Sequence, residues 1–229
     1  MRLRTLAYVV ATVMAARSLA GQDLPTGIAV LAFQDGGSYG QGQDDFAAIE
    51  RGIPGMLVSE LSLHPDARLV DRSETQRILQ QQDLGESGHV NAVTAADIGR
   101  LVGADYVVFG TFVDLYGKFR IDARIVDVET GKIVHVATAS DDRENLFRVV
   151  QALAQEILAD LEFPPLSGDI EAGRAGRNVP TDAVTFYGRA LWYQDRRETS
   201  RTVEFYRRAL EVFPNYVEAQ EGLNGIEPS

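Results

Sequence analysis

The chain has 229 residues, with 22 Lys and Arg against 33 Asp and Glu and a formal net charge of -11. That length buries a core without staples, and so acidic a balance excludes a general nucleic-acid or anionic-lipid binder, which needs a surplus of Lys and Arg. With no cysteine in the sequence, disulfides, thiolate metal sites, cysteine nucleophiles and an acyl anchor on cysteine are excluded as well.

Residues 1–20 read MRLRTLAYVVATVMAARSLA. Arg2 and Arg4 precede an apolar stretch from Leu6 to Ala16, and Ser18 and Ala20 are small residues just ahead of Gly21. This pattern predicts a secretory signal peptide cut near Gly21. A retained anchor needs about 20 apolar residues; this run is shorter and Arg17 interrupts it. No later stretch reaches the length of a helical span. The expectation is an exported chain that is periplasmic, with outer-membrane association only peripheral, and not a lipoprotein.

The run IAVLAF at 28–33 is apolar throughout and reads as a buried strand. A Gly-rich polar loop follows from Asp35 to Gln43. A helix is predicted over 45–62, with Ile49, Ile53, Met56, Leu57 and Leu61 at spacings of three and four. Pro54 is expected to break or kink it. Residues 67–71 read as a short strand. Ser73 with Gln76, and Thr94 with Asp97, look like capping boxes for helices ending near Gly85 and Gly103.

The run DYVVFGTFV at 105–113 reads as a central strand. Residues 119–128 alternate, with Phe119, Ile121, Ala123 and Ile125 on one face and Arg120, Asp122 and Arg124 on the other. Residues 129–132 make a hairpin turn into a partner strand over 133–139. A helix over 143–162 closes the unit. The fold class is therefore α/β, a mixed β-sheet with packed helices, over residues 25–163. Residues 164–180 carry three of the eight prolines and no periodicity, and read as a linker. Residues 181–229 add a small all-α segment: a helix opened by Thr181, a second over 200–212 stopped by Pro214, and a short terminal helix opened by Asn215 and Glu218.

Five strings carry a family resemblance: IAVLAF, GIPGMLVSELS, ARLVDRSETQRILQQQDLGESG, AADIGRLVGADYVVFGTFV and IDARIVDVETGKIV. Their order and spacing resemble the CsgG/HfaB and FlgO-like group of envelope proteins, related to the N-terminal domain of TolB, over about residues 28–163. The tail resembles a single tetratricopeptide repeat, with Gly188, Tyr206, Ala209 and Pro214 near the motif's small, aromatic, small and terminating positions. One repeat leaves a hydrophobic face uncovered, so it must dock on the first domain, on another copy or on a partner. CsgG proper resembles an acylated export channel whose barrel comes from long inserted hairpins. A membrane strand takes about 9–11 residues, and only Asp114 to Lys118 separate the strands at 105–113 and 119–128.

Candidate chemistry is sparse. The loop DGGSYGQGQDD follows the first strand, where phosphate-binding loops occur. Asp45 stands at the third glycine position, and Asp35, Asp44 and Asp45 would repel phosphate. Asp44 and Asp45, like Asp141 and Asp142, read as acids at helix starts. Arg120, Asp122 and Arg124 read as cross-strand ion pairs, Asp127 and Glu129 as turn residues, and His135 as a packed or edge histidine. Ser59, Ser73 and Ser87 lack nucleophile context. No catalytic residue, cofactor or metal is expected.

Eight of the nineteen aromatic residues fall within the last fifty residues. Most are expected in the helical core. Tyr187, Trp192, Tyr193 and Tyr216 are the candidate protein-interaction surface, because Tyr and Trp make strong interface anchors. The reading is a non-enzymatic exported cell-envelope protein, an accessory or assembly/transport component that binds envelope proteins through its C-terminal helices, with no nucleic-acid partner. Self-association into a homo-oligomer stays open. The alternatives are an oligomeric outer-membrane secretion channel of CsgG type and a periplasmic small-molecule sensor.

Overall fold

A computed structural model describes residues 25–40, 43–81 and 90–226. The expected signal peptide, Gly42, the helix end near Gly85 and Ser87 lie outside the described residues. In chain order the elements are β1 (Thr26–Asp35), α1 (Gln43–Leu61), β2 (Ala67–Leu69), α2 (Arg72–Gln81), α3 (Ala92–Val102), β3 (Tyr106–Leu115), β4 (Lys118–Asp127) and β5 (Lys132–Asp142). A 3-10 turn (Arg143–Asn145) leads into α4 (Leu146–Asp160), followed by α5 (Gly168–Ala175), α6 (Thr181–Asp195), α7 (Thr199–Val212) and α8 (Val217–Ile226). Among the described residues no helix is long and apolar enough to cross a membrane.

The sheet runs β2-β1-β3-β4-β5. Strands β2, β1 and β3 are parallel, and β4 and β5 continue antiparallel. This is the expected α/β architecture with a mixed sheet. The parallel strands are apolar on both faces because helices cover both. On one face Ile28, Val30, Val108, Phe112 and Ile121 pack with Ile53 and Leu57 of α1 and Val150 and Leu153 of α4. On the other, Ala29, Leu31, Val107 and Val126 pack with Ile78 of α2 and Ile98 of α3. The alternation predicted for 119–128 holds, with Phe119, Ile121, Ala123 and Ile125 buried.

Several local expectations are corrected. Pro54 neither breaks nor ends α1, which runs as one helix through it. The backbone bond it removes is outweighed by burial, since Ile49, Ile53, Met56 and Leu57 are all enclosed. The first capping box is displaced, because Asp71 accepts from Ser73 N at 2.6 Å and the helix starts at Arg72. Likewise Asn91, rather than Thr94, caps α3: its Oδ1 accepts from Thr94 N at 3.0 Å. The segment 164–180 is not a bare linker. It contains α5, and it buries Arg174 and Val179.

The C-terminal helices dock on the chain's own α/β layer. Helix α6 packs along α1, α7 returns against α6, and α8 packs on α7. Val179, Ala183, Val184, Ala190, Leu191 and Ala209 join the same core as α1 and α4. Of the three docking modes left open by the sequence, packing in cis is the one observed.

Candidate functional site

The hairpin of α6 and α7 is set on α1 by three glycines. A Cβ at Gly188 would fall onto the Ala48 carbonyl group, and Gly52 faces Val184 and Gly188 across the crossing. The two helix backbones therefore meet without side chains between them. Gly55 makes room for the Tyr187 ring in the same way. Tyr187, Tyr206 and Tyr216 then fill the joint, with Tyr187 5.3 Å from Tyr216 and 6.1 Å from Tyr206 between centroids. Burial pushes all three phenols upward, Tyr206 to about 12. The Tyr206 hydroxyl donates to Gln194 Oε1 at 3.0 Å.

Ion pairs fix the same joint. Arg72 of α2 donates twice to Asp195 at the end of α6, at 2.8 and 2.9 Å. Arg189 of α6 holds Asp45 of α1 at 2.5 Å. Deeper in, Glu60 of α1 is fully buried between Arg174 at 2.8 Å and Arg177 at 3.1 Å. Arg177 also grips Glu218 of α8 with two bonds of 2.8 Å. Arg174 Nη2 donates to the Gln151 carbonyl of α4 at 2.5 Å. One charged cluster thus joins α1, α4, α5 and α8.

Burial pushes the Glu60 carboxyl above its ordinary value of 4.5, and the Arg174 hydrogen bond and the charges of both arginines recover only part of that. A raised folded value means that the folded state holds the proton more tightly than the unfolded chain does. The Glu60 contribution to stability is then fully present below pH 4.5 and is lost as pH rises through the folded value. Relative to Glu60→Gln, the wild-type chain should lose unfolding free energy as pH climbs above 4.5. Urea unfolding of both proteins across pH 4.5–8 measures this. Parallel curves would contradict it.

A cleft of about 890 Å3 lies beside the joint, between α1, the start of α2 and helices α6 to α8. Of its charged walls, Arg72, Arg177 and Glu218 are paired with one another or with neighbours and Asp71 accepts from Ser73 N, while Glu221 also lines the cleft.

The four aromatic candidates divide by location. Tyr187 and Tyr216 are 6% and 0% exposed, so they are core and not surface. Tyr187 faces Gly55 of α1 and Tyr216 packs on Tyr187, and the sequence carries no mark of either placement. Trp192 and Tyr193 are half-buried on the outer side of the hairpin. There Tyr193 stacks on Phe205 at 5.3 Å and 15°, and Trp192 meets Tyr193 edge-on at 4.8 Å. Phe186 lies 6.3 Å from Phe205. The sequence reading missed the cations on these rings. Arg196 sits 3.5 Å over Trp192, Arg208 4.2 Å over Phe186, Arg201 5.2 Å over Tyr193 and Arg189 5.8 Å over Phe205. The signal was present as a spacing: Arg201 and Arg208 stand seven residues apart, two turns along one helix face.

Other candidate groups resolve into local structure. Asp127 accepts from Thr130 N and Oγ1 at 2.7 and 2.8 Å, as turn chemistry requires. Arg120 and Asp122 pair along one strand instead of across two, and Thr138 Oγ1 supplies the cross-strand bond to Asp122 at 2.8 Å. His135 is half-buried on edge strand β5, with Nδ1 3.9 Å from Asp160. At the carboxyl end of β3, the turn into β4 places Tyr116 at φ 55 and Gly117 at φ 87. This is the left-handed pair that a two-residue hairpin demands. Beneath it Asp114, fully buried, accepts from Gly117 N at 2.8 Å and from Arg143 Nε. The exposed Tyr116 meets Tyr39 edge-on at 5.5 Å.

A sequence model of the family described as curli production assembly/transport component CsgG matches residues 10–120. This places the family likeness on β1 through β3 and the first residues of β4, and it stops short of the C-terminal helices. Among solved structures, the LpoB C-terminal domain from Salmonella enterica is 18% identical, with 52% of this chain and 84% of that one covered and a TM-score of 0.39. Lipoprotein GNA1162 from Neisseria meningitidis is 21% identical over 52% and 81%, with a TM-score of 0.39. A PelC dodecamer from Paraburkholderia phytofirmans is 14% identical over 62% and 89%, with a TM-score of 0.35. No curated protein sequence matches the chain.

Proposed function

We propose that this chain, which resembles the CsgG family over residues 10–120, is a non-enzymatic exported component of the cell envelope. In this reading it serves assembly or transport by binding protein partners, and the outer face of α6 and α7 is its contact surface. The observation that carries the reading is the layered set of half-buried aromatics and stacked arginines on that face. Such rings and guanidiniums are the side chains that anchor protein interfaces. Their support is rigid, because glycine packing and the half-buried Arg189–Asp45 pair fix the hairpin to α1. A surface held in its binding conformation before contact loses less entropy on binding.

A secretion channel is the weaker reading. The connection from β3 to β4 is Tyr116 and Gly117, and that from β4 to β5 is Val128 to Gly131. Phe119, Ile121, Ala123 and Ile125 of β4 pack with α1 and α4, and Val126 packs on the other face, so all are committed to the core. Expression of the full-length chain in a Gram-negative host, followed by osmotic shock and light scattering, tests the choice. The expected result is release with the periplasm, without detergent, as a particle of one or a few chains. A large ring recovered only with detergent would overturn it.

A further inference from the structure

We propose that the outer face of the α6–α7 hairpin receives an acidic helical segment of a protein partner. This rests on the interaction surface proposed above and adds the chemistry of what it binds. Residues 186–208 hold six arginines against Asp195, Glu198 and Glu204, a local surplus of positive charge in a chain whose net charge is -11. Asp195 is turned away and held by Arg72 and Arg51. Among the described residues, Arg196, Arg201 and Arg208 pair with no carboxylate. Each lies over an aromatic ring instead, and Arg196 and Arg201 also donate to the Trp192 carbonyl and the Tyr193 hydroxyl, at 3.2 and 2.8 Å.

A guanidinium stacked on a ring keeps free N–H groups pointing outward in its own plane. It can still take a carboxylate with two parallel bonds, and the ring has already restricted its motion. The spacing points to the form of the partner. Arg201 and Arg208 on α7 are seven residues apart, or roughly 10.5 Å at 1.5 Å per residue, with Arg196 beside them at the end of α6. Glutamates two turns apart on another helix repeat at that distance, and apolar side chains between them would cover Trp192 and Tyr193.

Charge complementarity also selects a short acidic segment over a long polyanion. Screening confines attraction to within about 8–10 Å at physiological salt. A short acidic helix meets only the local arginines, whereas a nucleic acid or an anionic bilayer extends over the acidic remainder of the molecule and is repelled.

The chain contains a single tryptophan, Trp192, so its fluorescence reports this face alone. The test titrates the full chain with a tryptophan-free helical peptide carrying glutamates at seven-residue spacing with leucines between them. Its controls are the same peptide with glutamine for glutamate, a single-stranded oligonucleotide, and vesicles of zwitterionic and anionic phospholipid. The expected result is a saturable change with the glutamate peptide that weakens at least tenfold in Arg201→Gln/Arg208→Gln, a surface variant whose circular dichroism should match wild type. No change up to millimolar peptide would overturn the proposal. So would equal binding of the glutamine peptide, undiminished binding by the variant, or tighter binding of oligonucleotide or vesicles. Crosslinks from this face to an envelope protein, together with no response to the glutamate peptide, would sink the acidic chemistry and leave the surface standing.

Discussion

Gly188→Val is expected to unseat the C-terminal helices from α1. Even the first carbon of the new side chain would overlap the Ala48 carbonyl group, and the obstacle is helix backbone on both sides. A flexible neighbour could rotate away, but two helix backbones can only separate. Separation would pull Tyr187 and Tyr216 out of the joint and stretch the Asp45–Arg189 and Arg72–Asp195 pairs. Overpacking of a core costs about 1–3 kcal/mol, and an unyielding backbone contact sits at the upper end. At that end, the melting temperature should fall by about 6–12 °C. Proteolysis within residues 164–180 should accelerate, since the segment leads straight into α6 and its Arg177 is tied to Glu218 of α8. Gly173→Ala is the control: it lies in α5 with open space around its Cβ position, and the change should be neutral or slightly stabilising. A Gly188→Val protein that melts within a degree of wild type would contradict the close crossing.

The second large effect concerns Glu60 and Arg174. Glu60 is fully buried and Arg174 is 3% exposed. Arg174→Met leaves the carboxylate with Arg177 alone, whose other side is committed to Glu218. Glu60→Leu leaves the Arg174 guanidinium enclosed without its carboxylate. Breaking one member of a buried pair costs about 3–5 kcal/mol, because the survivor stays desolvated. The double variant Glu60→Leu/Arg174→Met removes both charges and should recover most of the loss. Urea unfolding of the four proteins at pH 8 completes the cycle. Additive losses in the double variant would show that the two groups do not depend on each other.

The parts of the fold that were legible in the sequence are those set by local periodicity. The alternation at 119–128, the turn at 129–132 and the apolar runs at 28–33 and 105–113 each dictate a strand wherever the chain goes. The parts that were not legible depend on residues far apart. Glu60 and Arg174 are 114 positions apart, and nothing near either one announces the other. Helix α5 has glycines at both ends and eight residues, too few to form on propensity alone. It exists because Arg174 and Gln151 exchange bonds across it and α4. Pro54 shows the converse, a local rule overruled by the core on both sides of α1. For the interaction surface, the surplus of aromatics near the C terminus was readable. Which of them fill the joint was not, because Tyr187 and Tyr216 have the same chemistry as Tyr193. The seven-residue spacing of Arg201 and Arg208 was the available clue to the outward face.

The central claim is that the hairpin's outer face binds a protein of the envelope. A photo-crosslinking amino acid at the exposed position 204, between Arg201 and Arg208, in the full chain expressed in its native cell, tests this most directly, with position 173 on the exposed side of α5 as the reference site. Irradiation of intact cells should give one dominant adduct from 204, sized as this chain plus a protein, absent from 173 and reduced in Arg196→Gln/Arg201→Gln. Equal, diffuse adducts from both positions, or none from 204, would contradict the account.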